Sequence, residues 1–497
     1  MILRSAFAAA ALACLVVLAQ APRARADAPG APVVTHHVGT FNGRKIAYDA
    51  TVAETDVPDA SGKPGARLVS MAYTAEGVAG EPRRPVIFVF NGGPITPSLY
   101  LHIGAFGPKR LAIPDDLSAD PASFKTVDNP YTVLDVADLV FIDPAGTGFS
   151  RAAPGKALAD YFSVVADGQE VSAFIARWLA DHHRMDSPKY LFGESYGTLR
   201  AAEVADQLAK QPQPINLDGV VLMGQALNIV EFSQRPGNII SYVVSLPTLA
   251  AIAWYHDKVD RRGRTFEAFL DETRQFARTE YLAALFQGDR LDAASRRHVA
   301  ERLEALTGVP ASYYLAHALE ITKERYRVEL LKDRHQVLGA YDARYVGAPA
   351  ASGEQADPSA RIEPAMESAF LRYLRDDLGV TWSEPYLIKS PVEGLDDWRW
   401  GATTPFSDWP YMTLISDVMS RNPSFRVMIG VGYYDTATTA GASEYALAQS
   451  GWPRDRASIA YFQGGHMAYT NEAALKALTD DVRAFVSARP KNAGSGD

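Results

Sequence analysis

The sequence predicts an α/β protein: a mostly parallel central sheet, covered by helices on both faces and interrupted by a large helical insertion. Three observations predict it. Short, predominantly apolar runs, as expected of central strands in a covered sheet, recur at Pro85–Phe90, Asp138–Ile142, Lys189–Phe192, Leu217–Met223, Phe425–Val431 and Ser458–Phe462. Amphipathic helical stretches stand between several of them, at Gly168–His182 and Leu199–Leu208, and another closes the chain at Glu472–Val486. Between about Val230 and Thr403 long strands give way to charged, helix-favouring text, a stretch of roughly 170 residues at which a subdomain is expected.

The chain has 497 residues, 47% of them hydrophobic and 22% charged, which suffices for two or three cores or one with a large insertion and excludes disordered and fibrous classes. Lys and Arg number 49 against 58 Asp and Glu, for a formal charge of −9. A nucleic-acid surface needs the opposite balance, so nucleic acid is not an expected partner. After the N-terminus no run reaches the roughly 18 apolar residues of a membrane helix.

Taken in order, residues 1–26 read as a secretory signal: Arg4, the apolar run Ala6–Ala19, and Ala24-Arg25-Ala26 as a cleavage site before Asp27. Its removal takes three arginines and no acid, moving the charge from −9 to −12. Cys14, the single cysteine, leaves with it, so the mature chain can form neither a disulfide nor a thiolate site. The expected location is a bacterial periplasm or the medium, with no membrane attachment after cleavage. His37–Tyr48 is an expected hairpin about the Asn42-Gly43 turn, and Arg67–Tyr73 an expected strand.

Within the insertion, Thr265–Phe286, Ala293–Leu306, Tyr313–Leu331 and Glu363–Leu378 are expected helical, and Gly347–Arg361 reads as a turn-rich connector. The chain thus divides into a signal (1–26), a first core part (27–229), a helical cap (230–403), a second core part (404–490) and a flexible tail (491–497).

The segment that carries chemistry is Gly193-Glu194-Ser195-Tyr196-Gly197, a G-x-S-x-G pattern after an apolar strand and before a helix. In that context the serine occupies a sharp, strained turn that projects its hydroxyl from the sheet. A serine hydroxyl needs a base, and the base an orienting acid. Where this turn is a nucleophile elbow the chain order is serine, acid, histidine, each at a strand end. Among ten histidines, His466 follows a late strand and Gly464-Gly465; Asp435 follows Val427–Gly432. A buried structural histidine and a helix N-cap aspartate are the respective alternatives. Asn91-Gly92-Gly93-Pro94 can present a backbone N–H to an oxyanion, and Tyr196 a second from its helix N-terminus. No H-E-x-x-H or C-x-x-C pattern offers a metal site, so neither metal nor organic cofactor is expected.

Together these segments resemble the serine carboxypeptidase family of α/β-hydrolases. The resemblance rests on Asn91–Pro94, on Asp143-Pro144-Ala145-Gly146-Thr147-Gly148-Phe149-Ser150, on Gly193–Gly197, on Asp435 and on Gly464-Gly465-His466. Leu101–Pro108 and Leu246-Pro247-Thr248, the latter before the helical region, are similar to the bacterial branch. The resemblance implies an α/β-hydrolase fold with a helical cap inserted before the aspartate strand. It implies Ser195 as nucleophile, His466 as base then acid, Asp435 as orienter, Gly93 and Tyr196 as oxyanion donors, and Asn91 and Glu194 as ligands of a peptide's C-terminal carboxylate. The partner would be a peptide substrate, and a homodimer is admitted because the family includes dimers.

The sequence departs from the family at two places. A second glutamate of the eukaryotic members, two residues before a G-P pair, is Ala105 here; Lys109, Arg110 or Arg200 could supply charge instead, although surface solvation is the commoner role of each. The small-residue run after N-G-G-P is Ile95-Thr96-Pro97-Ser98, where a β-branched residue replaces glycine. An esterase or acyltransferase on the same triad, or a non-catalytic pocket protein, are the alternatives. His102 reads as a packing or loop residue.

Overall fold

The computed structural model describes residues 30–59, 61–76, 84–351, 355–389, 397–401, 404 and 407–488. The expected signal with Cys14 and the expected tail lie outside the described residues.

Among the described residues, nine strands form the path of the central sheet: β1 (Val33–Phe41), β2 (Arg44–Pro58), β3 (Pro64–Ala75), β4 (Val86–Phe90), β5 (Asp138–Asp143), β6 (Lys189–Glu194), β7 (Gly219–Met223), β8 (Arg426–Gly432) and β9 (Ala457–Phe462). Their order is β1-β2-β3-β5-β4-β6-β7-β8-β9, with the two-residue strand Arg151–Ala152 added beside β3. The first three strands are antiparallel, and β3 runs antiparallel to β5. From β5 through β9 all pairs are parallel. The β1–β2 turn is built on Asn42 (φ 47°) and Gly43 (φ 75°), two consecutive left-handed residues that match the twist of a hairpin. Strands β4, β5, β6 and β7 are buried at every position, which accounts for their apolarity on both faces.

One face of the sheet is covered by α1 (Val164–Asp181) and α2 (Gly197–Ala209), and by a helix at Tyr411–Arg421. The stripe Val171, Phe174, Ile175, Trp178 and Leu179 of α1 is wholly inside. The opposite face is covered by the C-terminal helix Glu472–Ser487 through Leu475, Leu478 and Val482, and by the helix Glu363–Asp376 through Met366, Phe370 and Tyr373. The latter falls inside the segment expected as cap, yet it packs with the main core.

A separate apolar cluster joins α3 (Ile239–Tyr255) to the helices Phe266–Phe276, Leu282–Gln287, Ala293–Thr307 and Lys323–Glu329. Leu246-Pro247-Thr248 lies within α3 and not ahead of the helical region; the proline removes one backbone donor from a helix held by burial on nearly all sides. Tyr313–Leu331, expected as one helical stretch, is two short helices, Ala311–Ala316 and Lys323–Glu329. Ala318 and Leu319 adopt φ of 53° and 68° between them, and the turn buries Leu319 in the cluster. Among the described residues no helix is long and apolar enough to cross a membrane.

Candidate active site

At the end of β6 the chain turns straight into α2. Ser195 sits at φ 59°, the left-handed region that costs a non-glycine residue of order 1–3 kcal/mol. The turn closes only on small neighbours. A Cβ on Gly193 would stand 2.2 Å from the Gly197 carbonyl oxygen, and one on Gly197 would stand 2.9 Å from that of Asn91. Ser195 N–H donates to Met223 O at the end of β7 (2.9 Å). Glu194 and Tyr196 are buried, while Ser195 keeps part of its surface open.

The acid and base come from the next two strands. Asp435, fully buried three residues beyond β8, accepts from the backbone N–H of Ala437 (2.7 Å) and Thr438 (3.1 Å) and from Thr438 Oγ1 (2.6 Å). Its Oδ2 meets His466 Nδ1 at 2.7 Å. That contact leaves Nε2 as the nitrogen free to exchange a proton. A Cβ on Gly224, the residue after β7, would lie 3.0 Å from the His466 Cε1 atom. The imidazole therefore stands at the strand end that also holds the serine N–H, and the structure brings Ser195, His466 and Asp435 to one edge of the sheet. Burial disfavours the imidazolium, but the Asp435 carboxylate, its hydrogen bond and the charge of Glu194 outweigh it and raise His466 to about 9.

The Asn91–Pro94 loop packs against this turn; a Cβ on Gly92 would meet Glu194 O at 2.6 Å and Tyr196 N at 2.7 Å. Gly93 has φ 104°. Asn91 Nδ2 donates to Glu194 Oε1 (2.8 Å), and Asn91 Oδ1 accepts from Leu101 N (3.0 Å). Glu194 is pushed up to about 7 by burial, against the partial opposition of His466, Tyr469 and Asn91. The buried Tyr469 hydroxyl stands beside this carboxyl group, and the two act on each other: Tyr469 lowers Glu194, while Glu194 adds to the burial that raises Tyr469.

The Ile95–Ser98 departure is accommodated without strain. Ile95 is not among the residues at positive φ, and its side chain packs against the core. Ser98 donates through N and Oγ to Asp143 Oδ1 (2.8 and 2.7 Å). Asp143 Oδ2 accepts from the Tyr386 hydroxyl (2.9 Å), and Gly148 exchanges backbone bonds with Leu387. The Asp143–Ser150 loop is therefore a brace between the loop that follows β4 and the Tyr386-Leu387 segment.

Two arginines differ from their sequence-level reading, and the neighbouring residues can be placed beside them. Arg200, expected as a solvated charge, has no exposure at all and pairs with Asp167. Arg110 is buried as well and pairs with Glu472, whereas Lys109 pairs with Asp128 at the surface. Ala105 is fully buried, its carbonyl held by Asn129 (2.7 Å). His102 stacks on Phe141 with centroids 4.1 Å apart and bonds Tyr73; burial lowers it to about 3, so it is a neutral packing residue.

Sequence reasoning missed Thr438, Tyr469, Asp167 and the loop Gly339–Arg344. In that loop Tyr341 O accepts the His466 N–H (2.6 Å), and Ala340 O accepts from Thr436 N (3.2 Å) and Oγ1 (2.6 Å). The Tyr341 ring lies 5.3 Å from the imidazole, in a residue that is 43% exposed, so an aromatic side chain borders the histidine on its solvent side. Among the described residues no group of three or more His, Cys, Asp or Glu side chains is placed to hold a metal ion.

Residues 71–248 match the family model described as serine carboxypeptidase. Serine carboxypeptidase-like 13 of Arabidopsis thaliana is 28% identical over 153 residues, covering 30% of this chain; the chain spans about a third (34%) of the length of that curated relative. Among solved structures, the chain resembles that of Kex1, a prohormone-processing carboxypeptidase from Saccharomyces cerevisiae. The TM-score is 0.54 at 13% identity, over 88% of this chain and 91% of that one, a likeness of fold. Residues 71–248 are thus similar to the serine carboxypeptidase family, and the central sheet has the α/β-hydrolase fold.

Proposed function

We propose that the chain is an exported serine-type carboxypeptidase that removes C-terminal residues from peptides through an acyl-enzyme. The observation that carries the reading is the approach of His466, held by Asp435 at 2.7 Å, to the strand end where Ser195 occupies its strained turn. In this mechanism His466 Nε2 takes the Ser195 proton as Oγ attacks the scissile carbonyl. Asp435 fixes the tautomer and stabilises the imidazolium. The Gly93 and Tyr196 N–H groups receive the developing oxyanion. His466 then protonates the leaving amine, and water resolves the acyl-serine by the same route in reverse.

Asn91 and Glu194 would bind the substrate carboxylate, aided by the acidity shift of Glu194. With a carboxyl group raised to about 7, the neutral form can donate to a carboxylate below that pH, while the charged form repels it above. The resemblance and the N-terminal signal support a bacterial, periplasmic or secreted enzyme acting on free peptides without a cofactor, and a homodimer is part of this proposal.

The second reading, an ester hydrolase or acyltransferase on the same triad, is favoured by Ala105, which leaves the carboxylate site one acid short. Turnover of an N-blocked dipeptide, its C-terminal amide and an activated ester separates the two. A carboxypeptidase hydrolyses the acid in preference to the amide, and its KM for the acid alone rises above pH 7; hydrolysis of the ester only would overturn the peptidase reading. Labelling by a fluorophosphonate, lost in Ser195→Ala, tests catalysis itself and separates both readings from a non-catalytic pocket protein.

A further inference from the structure

The Asn91–Pro94 loop and the first turn of α2 supply the two oxyanion donors of the proposed reaction, yet they belong to segments about a hundred residues apart. One side chain joins them. Arg200 lies in the first turn of α2, and helical side chains slope toward the N-terminus, so its guanidinium reaches back beneath the loop. Nη1 donates to Asn91 O (2.6 Å) and Nη2 to Pro94 O (2.9 Å), the two ends of the loop. Nε donates to both oxygens of Asp167 (3.0 and 2.8 Å) on α1. The Tyr196 hydroxyl donates to Asp167 Oδ2 as well (2.8 Å). The guanidinium also lies over the Phe90 and Tyr196 rings, 5.4 and 5.2 Å from their centroids. Residues 93 and 196, which carry the two N–H groups, thus sit on a closed circuit: loop, Arg200, Asp167, the Tyr196 side chain, and back to the helix start.

A buried ion pair is poor evidence of stabilisation, because an apolar replacement of equal volume often serves the fold as well. What an apolar residue could not do is grip two carbonyls of a glycine turn whose Gly93 is at φ 104°. A planar fork with fixed donor directions does this, and a lysine reaches only one of them. We propose that Arg200 is the positioning residue of the oxyanion site, setting the separation of the Gly93 and Tyr196 N–H groups through Asp167. The inference rests on the serine-hydrolase reading above and adds to it which buried charge gives the site its geometry. The guanidinium is sealed from the substrate and is not itself a catalytic group.

Arg200→Lys and Tyr196→Phe test it in the full chain, the first keeping the charge and the second the ring and the backbone N–H. Since a misplacement of about 1 Å can cost about 10²-fold in rate, Arg200→Lys should lower kcat by roughly that factor with KM within about threefold. Tyr196→Phe should lower kcat about tenfold, and the double variant less than the product of the two, because both act through Asp167. Affinity for an N-blocked amino aldehyde, which forms an oxyanion on Ser195, should fall in parallel; affinity for the corresponding alcohol should not.

Val204→Ala, a buried truncation further along α2, serves as the control for mere destabilisation. An unchanged kcat in Arg200→Lys with an active parent overturns the inference alone. So does a loss confined to KM, or an equal loss in Val204→Ala at matched Tm. If Arg200→Lys does not fold, Tyr196→Phe decides by the same aldehyde-to-alcohol comparison. A parent that neither turns over substrate nor reacts with a fluorophosphonate overturns the catalytic reading first.

Discussion

The two halves of the candidate site are held by different means. The oxyanion half is set from below: a fully buried Arg200–Asp167 pair, packed glycines and the Asp143–Ser98 bonds leave its backbone no alternative position. The acid–base half is set from its cap side, by Tyr341 O on the His466 N–H and Ala340 O on Thr436, in a loop that falls inside the segment expected as cap. A Cβ on Gly465 would stand 2.2 Å from Tyr341 O, so this loop lies as tightly on the histidine turn as the N-G-G-P loop lies on the serine turn. One half is therefore part of the core. The other also depends on a loop outside the central sheet, through its carbonyls on His466 and Thr436.

The largest break in this comparison is Asp435→Asn. It keeps the shape of the acid–base half but allows the wrong imidazole tautomer, and kcat should fall about 10⁴-fold while a Ser195-directed aldehyde still binds. Retention of more than a tenth of the parent kcat would remove Asp435 from its role.

A smaller effect comes from pH. The imidazole must be neutral to take the serine proton, and its folded value lies above the ordinary 6.5, near 9. The kcat/KM for an activated ester, which needs no carboxylate site, should therefore climb with pH through the region above 6.5, about tenfold per unit below the midpoint. The same shift bears on stability with the opposite sign. The Asp435–His466 pair contributes fully below the unfolded imidazole's value, and the contribution is lost as pH rises through the folded one, so Tm should fall where activity climbs. A midpoint at or below 6.5 in the parent, or one unmoved in Asp435→Asn, would falsify the assignment of this limb to His466.

The serine turn was legible because its geometry leaves a local mark. Positive φ at Ser195, with Gly193 and Gly197 placed where a Cβ would fall 2.2 and 2.9 Å from backbone oxygens, admits few other residues, so the strain is spelled in five consecutive letters. The meeting of Asp435 and His466 was legible from strand ends and chain order, since parallel strands bring the residues after their C-terminal ends to one edge. Arg200 was not. Its partner is 33 positions away on another helix, and a lone arginine in an amphipathic stretch reads as solvated until α1 and α2 are docked. Leu319 teaches the same lesson in the insertion: helical propensity carries on through Tyr313–Leu331, but burial of one leucine turns the chain. Helix Glu363–Asp376 shows the converse, a helix correctly expected whose buried face joins the main core, something amphipathicity cannot specify.

The smallest expected effect probes the cap-side half directly. Tyr341 presents an exposed ring to the imidazole, while the bond from His466 N–H uses only its carbonyl. Tyr341→Ala should therefore leave Tm and the aldehyde affinity close to the parent's, because the backbone contact survives and the oxyanion half is untouched. It should instead change the ranking of dipeptides by their side chains, with kcat/KM shifts of about three- to tenfold, the worth of one aromatic contact. An equal loss on every substrate would mean that the ring supports the histidine and does not face the peptide, and the division of labour between the two halves would then have to be redrawn.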